Sequence, residues 1–200
     1  MKNKILFSNK YKLIVLCGKS GAGKDYLLQK VKERYGDKLN YVIPDTTRPP
    51  REGEKEKGIY NFLTPLEFFN TEHLDETSFL TGDGIWYYGT PLTGLTKDKV
   101  NIGVFNIKSI HQLYEYESLD IYIFYVSADD RTRLLRQMNR EPYPNYTEIC
   151  RRFLADERDF KNLFKFPLVK LRNSSIDDCQ CVSTLFEEID KLLSDSDRMN

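Results

Sequence analysis

The chain is short of several things, and each shortage excludes a class of protein. Four cysteines stand among its 200 residues. Cys179 and Cys181, with one residue between them, suit neither a zinc knuckle nor an easy disulfide, and Cys17 falls in an apolar run expected to be a buried strand. The two histidines, His73 and His111, each stand alone in what read as helical patterns, so neither is assigned a role. Net charge is absent as well: thirty basic residues balance thirty acidic ones, leaving no global field to draw the protein to nucleic acid or a membrane. No apolar run approaches the ~20 residues of a membrane span. Residues 1–12 carry no signal-peptide apolar core, so a cytoplasmic protein is expected. There is no internal repeat and no low-complexity linker. What remains, 40% hydrophobic and 13% aromatic residues, describes a globular chain long enough for one domain with a small insertion.

Against that background one stretch stands out. The apolar run Leu13–Cys17 feeds Gly18-Lys19-Ser20-Gly21-Ala22-Gly23-Lys24-Asp25, which opens into a helical pattern. Gly18, Gly23 and Lys24 have the spacing of a phosphate-binding loop. Consecutive backbone N–H groups can wrap a phosphate only where glycine permits close approach and positive φ. The following helix points its positive end at the same anion. Lys24 adds a charge that can follow a transferred phosphoryl group. Asp25 departs from the pattern, standing where a Ser or Thr normally touches magnesium.

Around this loop the pattern predicts alternating strands and helices. A helix is expected over 25–35 and strands over 39–43, 100–106, 119–126 and 168–171. Further helices are expected over 107–116, 129–139, from a Thr147 cap to about 164, and 182–193. That alternation implies a parallel sheet covered on both faces, with ligand at the carboxyl ends of its strands. Residues 44–95 break the rhythm with prolines, charges and short β-like runs around a brief helix near Pro65, and read as an inserted lobe. Residues 1–43 and 96–200 are left as the core, with a lid at about 137–150.

Within the lobe, Thr46-Thr47-Arg48-Pro49-Pro50-Arg51-Glu52-Gly53-Glu54 holds Arg48 and Arg51 on a proline-stiffened loop, able to converge on one oxyanion. Tyr60, on a predicted strand, and Tyr88, within Trp86-Tyr87-Tyr88-Gly89-Thr90, offer hydroxyls to complete a cage for a monophosphate. Arg133, Arg136, Arg140, Arg151 and Arg152 flank the break at Pro142–Tyr146.

These blocks, in this order, resemble the guanylate kinase family over nearly the whole chain. The resemblance implies a P-loop NTPase three-layer α/β fold with an inserted nucleotide-binding lobe and a short helical lid. It implies ATP with magnesium as donor and GMP or dGMP as acceptor, in a monomer or homodimer with no nucleic-acid or membrane partner. By it, Gly18–Asp25 and Asn173 meet ATP, Asn173 at the adenine edge. Arg48, Arg51, Tyr60 and Tyr88 grip the acceptor phosphate, with Thr90 near its base. Lys24, Arg48, Arg136, Arg140 and Arg152 are the catalytic cations.

Three positions depart from the family. Asp25 replaces the hydroxyl residue and becomes the candidate magnesium ligand. Asn106 stands where an aspartate is expected. The base-reading glutamate is aligned with Thr81, and Asp83 is a substitute two residues on. The glycine-lysine-aspartate run and Asn106 also look like ribose 1,5-bisphosphate phosphokinases, while the paired-arginine block and Tyr60 follow guanylate kinase. A guanylate kinase-like module that has lost catalysis and binds proteins is the alternative from another class.

Overall fold

A computed structural model describes residues 10–50, 53–56, 58–82, 84–140, 142–174 and 178–197. The chain opens with β1 (Tyr11–Cys17), α1 (Lys24–Tyr35) and β2 (Leu39–Tyr41). Then come β3 (Asp45–Thr46), β4 (Asn61–Phe62), α2 (Pro65–Phe69), β5 (His73–Thr81) and β6 (Gly84–Pro91). It continues with β7 (Val100–Val104), α3 (Ile107–Leu113), β8 (Leu119–Ser127) and α4 (Asp130–Met138). It closes with α5 (Tyr146–Asp159), β9 (Leu168–Arg172) and α6 (Asp178–Asp197).

Five strands in the order β2-β7-β1-β8-β9 form one sheet, and every pairing in it is parallel. Residues Leu13–Cys17 have no solvent exposure, as a central parallel strand requires when helices cover both faces. Their side chains alternate between two cores. Ile14 and Leu16 pack with Leu27, Val31, Leu185 and Ile189 of α1 and α6. Leu13 and Val15 pack with Ile107, Ile110 and Leu113 of α3. This is the expected α/β architecture, with the glycine loop at the carboxyl edge of β1.

A second sheet, β4-β3-β6-β5, is built wholly from residues 45–91. It is fastened to the first through α3: Gln112 donates to the Glu76 carbonyl at 2.8 Å and accepts from the Glu76 amide at 2.9 Å. Helix α2 lays Phe68 beside Tyr87 of this sheet, ring centres 5.9 Å apart, and starts on a capping box formed by Thr64 and Glu67. That box satisfies the first free amides of a helix of little more than one turn. None of the helices among the described residues is long and apolar enough to cross a membrane.

Several local expectations are corrected. Strand β7 ends at Val104, because Asn106 caps α3 by accepting from the Ser109 amide at 3.0 Å. Helix α5 is capped by Asn145, not Thr147, and gives way to a 3-10 turn after Asp159. Asn is as good a cap as Thr, and the N–H of Glu148 lies three residues beyond Asn145. His73 belongs to β5, not to a helix. Its Nε2 lies 3.0 Å from Asp45 Oδ2 and its ring stacks on Phe68 at 4.3 Å.

Candidate active site

A cleft of about 590 Å³ runs between the two sheets, from the glycine loop to the floor of the second sheet. At its core end the chain turns sharply through Gly21 (φ 77°) and Gly23 (φ 95°). Both angles are left-handed, and a Cβ would also collide, at Gly21 with the Arg133 carbonyl and at Gly23 with the Asn173 amide. Glycine is therefore required twice over. Gly23 caps α1 without a side chain, so the first amides of that helix face the cleft.

Lys24 Nζ folds back on the loop, donating to the carbonyls of Gly18 (2.7 Å) and Lys19 (3.3 Å). Burial lowers its pKa, against the fields of Asp25 and Asp156. Asp25 is exposed in the first turn of α1 and lines the cleft. Ala22 is buried, and its carbonyl accepts from Asn173 Nδ2 at 2.8 Å and Arg136 Nη1 at 3.3 Å. Asn173 is 1% exposed, and its Oδ1 has no hydrogen-bond partner among the described residues. The structure thus sets Asn173 beneath the loop as a brace and Arg136 against the loop carbonyls.

The crest of the loop is clamped by residues that its motif does not contain. Ser20 N–H donates to Asp156 Oδ2 at 2.7 Å, and its carbonyl accepts from Arg133 Nε at 3.1 Å. Lys19 pairs with Glu157 at 2.5 Å. Arg133, 1% exposed, also pairs with Asp130, Asp156 and Glu157 and lies over the Phe153 ring at 4.8 Å. A buried arginine needs such a set of partners.

On the other side of the cleft, Arg48 is buried and pairs with Glu54 at 2.8 Å. Its guanidinium lies 5.5 Å from the Tyr60 ring and 5.6 Å from that of Phe62. Tyr60 meets Tyr88 edge-on at 6.0 Å. Burial, then Tyr88 and Asp25, push the Tyr60 phenol up to about 12, so it remains a proton donor at neutral pH. From between α4 and α5, Arg140 reaches the same Glu54 at 3.6 Å. Arg151 and Arg152 both hold Glu148, at 2.6 Å. Arg51 and Asp83 lie outside the described residues.

The floor of the cleft holds a residue that the sequence pattern did not single out. Asp75 on β5 is 3% exposed and lines the cleft with Thr90, Ser109 and Asn106. Burial raises its pKa, while hydrogen bonds from Ser109 and Thr90 oppose the rise. Its Oδ1 has no partner among the described residues. Asn106 Nδ2 donates to Thr77 Oγ1 at 3.0 Å, extending the polar floor. Thr81 sits at the β5–β6 turn, donating to the Gly84 carbonyl at 2.9 Å. A signal for Asp75 does exist in the sequence: Asp75 and Thr77 are polar residues on the buried side of an alternating strand. A register shift between His73 and Glu76 hides which side that is.

Among the described residues no group of three or more His, Cys, Asp or Glu side chains could hold a metal ion. A single exposed carboxylate beside a phosphate loop suits magnesium that arrives with its nucleotide, since that ion keeps its waters and takes one or two carboxylates besides phosphate.

Comparison with known proteins identifies the family. The family model for guanylate kinase matches residues 10–189. The guanylate kinase of Gloeobacter violaceus is 44% identical over 85 residues, 41% of this chain and 40% of that protein. That of Clostridium perfringens strain SM101 is 38% identical over 99 residues, 48% of this chain and 44% of the relative. The chain thus matches less than half the length of these curated relatives. The crystal structure of guanylate kinase from Anaplasma phagocytophilum superposes with a TM-score of 0.58 at 17% identity, covering 94% of this chain and 86% of that one, which speaks to the fold alone. With nine-tenths of its length inside the family model, the chain belongs to the guanylate kinase family.

Proposed function

We propose that the protein transfers the γ-phosphoryl group of ATP to GMP or dGMP, in line and without a covalent intermediate. The observation that carries this reading is one cleft with two unlike ends: a glycine loop with a lysine folded against it, and a buried carboxylate with an open acceptor oxygen. Guanine presents two donors on one edge, N1–H and the 2-amino group, which one carboxylate can accept together. Adenine presents a lone pair at N1, which Asp75 would repel. Such paired base readout is worth about 1–3 kcal/mol.

In this reading the loop amides and Lys24 hold the donor phosphates, while Asn173 and Arg136 brace the loop beneath them. Arg48, with Arg51, Tyr60 and Tyr88, orients the acceptor phosphate. Asp75, Thr90 and Asn106 face the base, with Thr81 at the rim, and residues 44–95 are the acceptor lobe. The lid, at about 137–150, leads into Arg152, and Arg140 and Arg152 close over the transferring group, where their charge and the exclusion of water lower the barrier. Through its carboxylate Asp25 would hold magnesium, which would supply charge neutralisation to the phosphates. The free thiols Cys17 and Cys150 fit a reducing cytoplasm, where the enzyme would act on small-molecule substrates as a monomer or homodimer.

Asp25 and Asn106 are shared with the sugar-bisphosphate kinases, but a buried carboxylate facing the acceptor would repel the second phosphate of ribose 1,5-bisphosphate. ADP release from ATP with GMP, dGMP, AMP, UMP, dTMP and ribose 1,5-bisphosphate tests the choice. GMP or dGMP is expected to be used fastest, and faster turnover of the sugar bisphosphate would overturn the reading. A folded protein that binds no ATP would favour the catalytically silent binding module instead.

A further inference from the structure

The clamp on the loop crest occupies a donor that a phosphate needs. Ser20 N–H is one of the loop amides, and its hydrogen bond to Asp156 Oδ2, at 2.7 Å, is the charge-assisted kind that an anionic phosphate oxygen would otherwise accept. Asp156 is partly buried, its side chain 16% exposed, and the same oxygen receives Arg133 Nη2 at 3.2 Å. Its field also reaches Lys24. Asp156 therefore stands toward the loop as an anion among amides, a lysine and an arginine.

We propose that Asp156 is an internal counter-anion of the phosphate loop, and that donor phosphate must displace it from the Ser20 amide to fill the loop. The proposal rests on the donor-site reading above and adds a device to it. Displacement has a defined mechanical consequence. Asp156 lies four residues after Arg152, on the same face of α5, and both line the cleft. A phosphate that takes the Ser20 amide breaks one tie between the loop and the turn after Arg152, while Glu157 stays paired with Lys19 and Arg133. The rest of the clamp survives the exchange, because Arg133 keeps Asp130, Glu157 and the Ser20 carbonyl as partners. Without nucleotide, the same contact holds α5 and its arginines against the loop and keeps other anions out.

Calorimetric titration with MgATP and with inorganic tripolyphosphate tests this on the full chain, comparing wild type with Asp156→Ala and Asp156→Asn. Asp156→Ala removes the competing acceptor. Asp156→Asn keeps its shape and an acceptor oxygen and loses only charge, so folding is not at stake. Asp130→Asn, on an exposed carboxylate that touches Arg133 but not the loop, controls for net charge. Removing a charged hydrogen-bond competitor is expected to tighten both ligands about tenfold in the alanine variant and less in the asparagine variant. The control is expected to leave them within about twofold. Equal or weaker binding in both Asp156 variants overturns the counter-anion while leaving the donor site in place. No binding by any of the proteins, wild type included, overturns the donor site itself.

Discussion

Asp75 places an ionisable carboxyl where burial opposes its ionisation and only part of its hydrogen-bonding capacity is met. Its folded pKa is raised, so its contribution to stability is full below the unfolded value near 4 and is lost as pH rises through the folded value. Asp75→Asn escapes that loss. Its melting temperature is expected to exceed wild type at pH 7 by about 2–4 °C per kcal/mol relieved, with the gap closing in acid, as calorimetric melts at several pH values would show. The same change should lower kcat/KM for GMP by about 10–100-fold and erode the preference over AMP, through the loss of paired base readout. Stability gained with selectivity lost identifies a site residue; loss of both would make Asp75 structural. Arg48 is the opposite case. On the proposed function Arg48→Ala removes a phosphate ligand, and it takes from Glu54, which is 4% exposed, its nearest cation, leaving Arg140 at 3.6 Å. It should raise acceptor KM, spare ATP binding and cost about 3 kcal/mol in denaturant unfolding. Lys24→Ala should cut turnover by about 10²–10³-fold with a small shift in melting, since the Nζ hydrogen bonds go to loop carbonyls.

At the level of elements, α5 carries the arginines, their counter-charge and the clamp on the loop. Glu148 accepts from both Arg151 and Arg152 and is thereby held down at about 2, the Arg151 hydrogen bond being the largest cause. A depressed carboxyl stabilises above its unfolded pKa and loses that contribution as pH falls through the folded one. The stability gap between wild type and Glu148→Gln should therefore be present at pH 6 and close between about pH 4.5 and 2. Partial exposure keeps the gap under about 1 kcal/mol. The elements differ in how legible they are from sequence. Strands β1 and β8 and helix α1 announce themselves through long apolar runs or a glycine loop. Short elements do not: β3 and β4, two residues each, exist because β6 pairs with β3 and β3 in turn with β4. The start of α5 has two capping residues to choose from. Asp75 is hard to read for a related reason: its alternation with Thr77 is a signal, but its facing depends on a register shift in strand pairing that no local pattern encodes.

For the molecule as a whole, the parallel sheet places the loop at its carboxyl edge, and the second sheet, fastened through Gln112 and Glu76, brings the Asp75 floor opposite it. The loop motif, the arginine–proline block and the tyrosines can be read from composition and spacing. The union of Lys19 and Ser20 with Arg133, Asp156 and Glu157 cannot, because it joins residues more than a hundred positions apart and exists only in the assembled fold. On the proposed function, this cleft passes a phosphoryl group from ATP to a guanine nucleotide. The most direct measurement is GDP formation from ATP and GMP with magnesium, followed by chromatography for wild type and Lys24→Ala side by side. Stoichiometric ADP and GDP are expected from wild type, with a rate lower by about 10²–10³-fold in the variant. A folded wild-type protein that binds ATP yet forms no GDP, or a Lys24→Ala variant that forms it equally fast, would contradict the proposed function.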